Sequence, residues 1–193
     1  MNELVFLLEE RSAAAMLESL LPRLLDQKIT PRFVSFEGKR DLAGQLERRL
    51  RGYANPNARF IVMHDQDRHP DCKALKGATL HQCASAGKAH LSLVRIACRE
   101  LEAFYLGDLA AVEQALGITG IAKRQMSARF RQPDTVSSPS LELLKLTNRQ
   151  YQKVNGSREI GKYLDLANVR STSFNQLIAA IHRMQAELLT HAE

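Results

Sequence analysis

Short apolar runs alternate with segments of helical periodicity through the first half of the chain. The runs at residues 4–8, 32–36, 59–64 and 90–98 are rich in strand-forming side chains. Apolar residues at helical spacing follow the first two runs, which predicts one helix capped by Ser12, with Pro22 as an irregularity, and a second helix preceded by Gly38. Strands that alternate with helices predict parallel pairing and right-handed crossovers.

The second half of the chain has a different pattern. A helical stretch follows Pro70, and after the fourth strand residues 108–117 form a short helix that stops at Gly117. Residues 132–140 have the composition of a loop, and residues 174–189 form an amphipathic helix. We therefore predict an α/β fold with a mainly parallel central sheet flanked by helices and a helical C-terminal extension.

Length and composition fit a globular protein. The 193 residues suggest one domain, divided into an α/β core at residues 1–107 and a helical, basic extension at residues 108–193 that packs on it. Hydrophobic residues make up 45% and charged residues 25%, which excludes collagen, coiled-coil and low-complexity classes.

The basic residues are unevenly distributed. The net charge is +6 with a pI near 9.4, which favours a polyanionic partner. Residues 121–170 contain ten basic and four acidic side chains, so this stretch alone accounts for the whole excess. We expect nucleic acid to be the polyanion.

Cysteine number and the lengths of the apolar runs indicate the compartment. Three widely spaced cysteines and the absence of a signal peptide favour a reducing cytoplasm. The longest apolar runs, at residues 4–8 and 60–63, are too short to cross a bilayer. A cytoplasmic location without a membrane partner is the expectation.

Acidic side chains stand at the ends of three predicted strands. Glu9 closes the first strand, Asp65 and Asp67 close the third, and Glu100 and Glu102 follow the fourth. Ligands of open α/β sheets collect at the carboxyl ends of the strands, so these acids would meet if their strands are parallel neighbours. Such a cluster of like charges needs a cation to neutralise it.

Carboxylate oxygens are hard ligands that suit Mg²⁺ or Mn²⁺. Residues two apart on an extended chain point to the same side, so Asp65 and Asp67 could address one ion. The bound metal would polarise a phosphoryl oxygen and generate hydroxide from water. Because solvated loops also carry acids, the hypothesis depends on the joint placement of these residues.

These motifs resemble those of the TOPRIM (topoisomerase-primase) domain, in which a glutamate ends one strand and a DxD motif ends a later one. The chain carries VFLLEE at the first strand and IVMHDQD at the third. It is more closely similar to an uncharacterised bacterial TOPRIM-like family. The shared blocks are LLEERSAAAMLESLLPRLL, Gly38-Lys39, DQD, ELEAFYLGD and YQKVNGSREI.

The resemblance implies roles for the first acids. Glu9 matches the glutamate that acts with the metal as a ligand or general acid/base, and Asp65 and Asp67 match the metal-holding pair. The residue after the first glutamate is usually glycine, and here it is Glu10. That change either adds a ligand or weakens the site.

The resemblance also extends to the later blocks. Glu102, with Glu100 as the less favoured choice, matches an acid that overcoming-lysogenization-type TOPRIM nucleases would need for a second ion. Lys153 resembles a basic residue that stabilises charge on the phosphate in the transition state.

The expected function is Mg²⁺- or Mn²⁺-dependent hydrolysis of DNA or RNA. Five basic residues are the candidates for binding the nucleic-acid backbone, namely Lys39, Lys123, Arg124, Arg129 and Arg131. Resembling proteins are often encoded beside ABC- or AAA-type ATPases in antiphage defence, which implies an ATPase partner. Homo-oligomerisation is left open.

Two other functions are weighed against hydrolysis. A catalytically silent TOPRIM-like module that binds nucleic acid or the ATPase is the alternative. Primase-like or topoisomerase-like activity is disfavoured, because the chain lacks room for the extra domains that those reactions require.

Other candidate motifs give no supported site. Histidines and cysteines between the third and fourth strands have spacings that fit no familiar zinc site, namely His64, His69, Cys72, His81 and Cys83. Gly38-Lys39 lacks P-loop spacing, so ATP binding by this chain is not predicted.

Overall fold

The fold is a four-stranded parallel sheet with helices on both faces. The computed structural model describes residues 1–190, and within them the strand order is β2-β1-β3-β4 with every pair parallel. The strands are β1 (Asn2–Leu8), β2 (Ile29–Ser35), β3 (Ala58–Asp65) and β4 (Ser92–Ala97). The predicted fold class is confirmed, and the described sheet is entirely rather than mainly parallel.

Nine α-helices lie in the described part of the chain. They are α1 (Arg11–Leu20), α2 (Lys39–Arg51), α3 (Cys72–Ser85), α4 (Glu102–Leu106), α5 (Leu109–Leu116), α6 (Ala128–Arg131), α7 (Pro139–Leu146), α8 (Lys153–Gly161) and α9 (Thr172–Thr190). The sequence pattern predicts α1, α2, α3, α5 and α9. No helix within residues 1–190 is long and apolar enough to cross a membrane.

Alternating residues of each strand enter two separate cores, as the two-residue period of a strand requires. Leu4, Phe6 and Leu8 of β1 pack with α1 and α9 on one face of the sheet. Val5 and Leu7 pack with α2 and α3 on the other face. Helices from the second half of the chain extend the first core, and α8 packs against α1.

Two local predictions are wrong. Glu10, not Ser12, is the N-cap of α1; its backbone is extended, while Ser12 lies inside the helix and donates to Glu10 Oε2 at 3.0 Å. The predicted loop at residues 132–140 contains a 3₁₀ turn, Pro133–Thr135, and the start of α7. Proline at Pro139 suits a helix start because the first helical N–H groups have no intrahelical acceptor.

The connections that leave β1 and β3 go to opposite faces of the sheet. These strands are neighbours, and α1 follows β1 on one face while α3 follows β3 on the other. Such a switch point opens a crevice at the carboxyl ends of the two strands. Glu9 follows β1 and Asp65 ends β3, so both residues stand at this crevice.

Candidate functional site

Glu9 and Asp65 are in direct contact at the crevice. The backbone N–H of Asp65 donates to Glu9 Oε2 at 3.0 Å, and both residues are buried. With Glu10, Ser12 and Met63 they line a cleft of about 10 Å³. That volume suits a water molecule or a single ion rather than an organic ligand.

Glu102 is a third acid at the same end of the sheet. It is the first residue of α4, which follows β4, and it is completely buried. Tyr151 donates its hydroxyl to Glu102 Oε1 at 2.9 Å. Glu102 Oε2 has no hydrogen-bond partner among the described residues. We call Glu9, Asp65 and Glu102 the inner acids.

The pKa values of the inner acids are all raised. Burial is the main cause, since it penalises the charged form of a carboxyl group. The pKa of Asp65 lies well above its ordinary value, and the charges of Glu102 and Glu9 add to the effect of burial. Asp65 therefore interacts with both of the other inner acids, although the three residues are far apart in the sequence.

Glu10 and Asp67, which we call the outer acids, are paired with lysines. Lys39 Nζ lies 2.6 Å from Asp67 Oδ2, and Lys153 Nζ lies 2.5 Å from Glu10 Oε2. Burial lowers the pKa of Lys153, but the hydrogen bond to Glu10 and the charge of Glu102 raise it overall. Lys153 thus stands beside Glu10, at the same end of the sheet as the inner acids.

Asp67 does not follow the geometry predicted for the Asp-x-Asp motif. Asp65 is the last residue of β3, and Asp67 has left the strand with a φ of 53°. Its N–H donates to the carbonyl of Arg99 at 2.6 Å, which ties this turn to the segment after β4. The two aspartates are therefore not related by an extended backbone, and Asp67 is exposed while Asp65 is buried.

Glu100 has a structural contact away from the inner acids. Its Oε2 accepts the backbone N–H of Ser140 at 2.7 Å, in the first turn of α7. A carboxylate at this position satisfies a free N–H and interacts favourably with the helix dipole. Of the two acids after β4, Glu102 is the one whose charge raises the pKa of Asp65.

The predicted nucleic-acid-binding residues of the second half lie on the surface. Lys123 and Arg124 belong to a 3₁₀ turn, Ala122–Met126, and Arg129 and Arg131 to α6. All four are exposed, and Arg129 pairs with Glu142 at 2.8 Å. Within residues 1–190 no hydrogen bond or ion pair joins them to the inner acids, whereas Lys39 stands beside Asp67.

His64 has a role in packing. It is buried on β3, its Nε2 lies 2.9 Å from Thr79 Oγ1, and its Nδ1 lies 3.3 Å from the Asp65 carbonyl. Burial lowers its pKa, which favours the neutral ring. His64 therefore links β3 to α3 through its hydrogen bond with Thr79.

Tyr151 and Arg99 are site neighbours that the sequence analysis does not single out. Tyr151 lies just before α8, and Arg99 has a φ of 63° in the turn after β4. Tyr151 stands in the shared block YQKVNGSREI, and that block is the one signal that could have indicated it.

The inner and outer acids lie at one end of the sheet, but their side chains are not arranged as a complete metal-binding site. Among residues 1–190 no group of three His, Cys, Asp or Glu side chains is arranged to hold a metal ion. Glu9 accepts a hydrogen bond from the backbone of Asp65, and the charge of Glu102 acts on Asp65. Each outer acid forms an ion pair with a lysine. The arrangement is a buried carboxylate cluster whose outer side is closed by cations.

Fold and site together define a class of protein, parallel α/β proteins with a carboxylate cluster at the switch point of the sheet. Within this class, the chain belongs to the family described as a domain of unknown function, DUF4276, whose model matches residues 8–182. No curated protein matches the sequence.

A solved structure has the same fold. It is the C-terminal region of the Burkholderia pseudomallei OLD protein, with 15% sequence identity and a TM-score of 0.54. The match covers 96% of this chain and 98% of that one. It confirms the fold class, including the helical C-terminal end.

The raised pKa values predict how stability depends on pH. A carboxyl group whose pKa is raised in the folded state binds more protons there than in the unfolded chain, so stability falls as pH rises from the ordinary pKa through the raised one. We expect Asp65→Asn to gain melting temperature relative to wild type, and the gain to grow as pH rises above the ordinary value of 3.8.

Thermal melts of both proteins between pH 4 and pH 8 without divalent ions measure this difference. Because His64 is present in both proteins, its own titration, which acts in the opposite direction, cancels in the comparison. A difference in melting temperature that stays constant or shrinks with pH contradicts the prediction.

Proposed function

We propose that this protein is a divalent-metal-dependent phosphodiesterase that cleaves nucleic acid. One observation carries the proposal, namely three buried carboxylates at the carboxyl end of the sheet, with Glu102 Oε2 lacking a hydrogen-bond partner within residues 1–190. Buried like charges are costly unless a cation neutralises them. A cluster of this kind is therefore best explained by a bound cation.

The residues at the crevice fit a hard divalent cation. Carboxylate oxygens are the ligands that Mg²⁺ and Mn²⁺ prefer, and Mg²⁺ needs only one or two of them besides water and substrate phosphate. Glu9 and Asp65 would hold the ion, and Glu102 would offer Oε2, which has no hydrogen-bond partner in the described part of the chain. When bound, the ion supplies Lewis-acid polarisation and a water of lowered pKa.

The lysines supply positive charge at the entrance of the site. Lys39 and Lys153 neutralise the outer acids; Lys39 is half-buried and Lys153 is exposed. In the proposed reaction their ammonium groups turn toward the substrate phosphate, where they stabilise the charge that develops on its oxygens. Asp67, once released from Lys39, becomes available as a further ligand.

Basic residues of the second half are proposed to bind the nucleic-acid backbone. Lys123, Arg124, Arg129 and Arg131 are exposed, and this stretch holds the excess positive charge of the chain. Binding through phosphate contacts weakens steeply as salt rises. An ABC- or AAA-type ATPase partner and a role in antiphage defence remain predictions that the family resemblance implies.

A cleavage assay tests the proposed activity. We expect the wild type to cut DNA or RNA with Mg²⁺ or Mn²⁺ and to lose this activity in EDTA and in Glu9→Gln, because Glu9 is an inner acid in direct contact with Asp65. Single-stranded and duplex DNA and RNA are compared by gel. Cleavage by Glu9→Gln at the wild-type rate, or cleavage that persists in EDTA, argues against the proposal.

Glu37→Gln is the matched control for this assay. Glu37 also follows a strand end, that of β2, but it is exposed and pairs with Arg11. It lies outside the inner acids, so this variant should cleave as the wild type does.

The second candidate is a catalytically silent module. The pairing of Lys39 with Asp67 and of Lys153 with Glu10 favours it, since lysines can replace an ion as the neutralising charge. Titration with Mn²⁺ of the wild type and of the Glu9→Ala, Asp65→Ala double variant separates the two functions. A phosphodiesterase binds Mn²⁺ more tightly than the double variant, whereas a silent module shows no difference.

A further inference from the structure

Two buried tyrosines next to Glu102 have very different contacts. The rings of Tyr105 and Tyr151 meet edge to face, with centroids 6.1 Å apart. Tyr151 donates its hydroxyl to Glu102 Oε1 at 2.9 Å and lies 3.1 Å from Ser157 Oγ. The hydroxyl of Tyr105 has no partner among the described residues.

Local structure holds the ring of Tyr151 firmly in place. Its backbone N–H donates to Thr147 Oγ1 at 3.3 Å, and the turn before it contains Asn148 and Arg149, both with left-handed backbone. Gly156 on α8 lies so close that a Cβ there would stand 2.5 Å from the tyrosine ring. Only glycine leaves room for the ring in this position.

Glu102 differs from the outer acids in the kind of group that holds it. Glu10 and Asp67 are each bound by a lysine, which cancels their charge. Tyr151 is a neutral donor, and burial raises its pKa far above the range in which it could ionise near neutrality. A neutral hydroxyl therefore fixes one oxygen of Glu102 without adding a positive charge to it.

We propose that Tyr151 is a positioning residue that orients Glu102 so that Oε2 faces the divalent ion. The proposal rests on the proposed function of the site. Hydrogen-bond partners of metal ligands fix the orientation of those ligands. Ser157 supports the arrangement from the other side, because its hydroxyl donates to the Lys153 carbonyl at 2.6 Å and contacts that of Tyr151.

Binding of Mn²⁺ to Tyr151→Phe tests the positioning role. We expect the affinity for Mn²⁺, measured from the electron paramagnetic resonance signal of the free ion, to fall about 10-fold, the effect usual for such partners. Tyr105→Phe is the matched control, since it removes a buried hydroxyl that has no hydrogen-bond partner among residues 1–190. Its Mn²⁺ affinity should equal that of the wild type.

A double-mutant cycle with Glu102→Gln separates positioning from general packing. If Tyr151 acts through Glu102, Tyr151→Phe causes no further loss of Mn²⁺ affinity in the Glu102→Gln background. Equal losses in both backgrounds, or equal losses in Tyr151→Phe and Tyr105→Phe, overturn the positioning role. Thermal melting of each variant confirms that it is folded.

The outcomes also distinguish this inference from the proposed function. If the wild type binds Mn²⁺ and Tyr151→Phe binds it equally well, only the role of Tyr151 is overturned. If the wild type does not bind Mn²⁺, the metal-dependent function fails and the inference fails with it. Should Tyr151→Phe not fold, Ser157→Ala replaces it; weaker binding then supports the proposal and wild-type affinity overturns it.

Discussion

Replacing Asp65 with asparagine is expected to reduce divalent-dependent cleavage by a factor of at least about 100. Loss of a hydrogen-bond partner of a metal ligand typically reduces activity about 10- to 100-fold, and loss of the ligand itself should reduce it further. Asp65 is buried and interacts with both Glu9 and Glu102. Asparagine preserves the shape of the side chain and removes its charge, so the cluster loses the group at its centre. Cleavage rates at saturating Mn²⁺ measure the effect.

Asp71→Asn is the control for this prediction. Asp71 lies on the same connection after β3, but it is exposed and caps α3 through the N–H groups of Lys73 and Ala74. Asparagine caps helices about as well as aspartate, so both activity and stability should stay near those of the wild type. Cleavage by Asp65→Asn at the wild-type rate would show that the inner acids do not take part in the reaction.

Gly161→Ala is expected to destabilise the fold by about 3 kcal/mol, the upper part of the usual range for overpacking. A Cβ at this position would lie 2.5 Å from the carbonyl oxygen of Met16 in α1. The clash is with backbone, which cannot rotate away as a side chain can. Relief requires that α8 move off α1, against which it packs closely. Denaturation with urea measures the loss.

Gly77→Ala gives the opposite expectation. Gly77 lies within α3 and is exposed, and nothing lies within 4 Å of the position of its Cβ. Alanine is preferred over glycine inside a helix by about 0.5–1 kcal/mol, so this variant should be slightly more stable than the wild type. If Gly161→Ala is as stable as Gly77→Ala, the contact between α1 and α8 is looser than described.

The packing of α8 on α1 matters for the site as well as for stability. Helix α1 begins immediately after Glu9 and Glu10, and α8 begins at Lys153, which pairs with Glu10. Tyr151 precedes α8 and holds Glu102. The division into residues 1–107 and 108–193 stays a prediction, but the crevice draws side chains from both segments.

The strands and the acids at their ends could be predicted because their signals are local. A buried strand needs a short apolar run; Glu9 and Asp65 directly follow such runs, and Glu102 comes four residues after the last one. The cap at Asp108 and the left-handed Gly117 likewise define α5 from local chemistry. Helices α4, α6, α7 and α8 span only four to nine residues, too few to establish a clear period.

The sequence by itself determined the fold class and the acidic residues at the strand ends, since both follow from short-range patterns. Which strand ends meet was decided only by the strand order β2-β1-β3-β4, which brings Glu9 beside Asp65 and leaves Glu37 at the sheet edge. The contact of Tyr151 with Glu102 and the lysine pairs of the outer acids also required the tertiary structure. They join residues far apart in the chain, and no local pattern encodes such contacts.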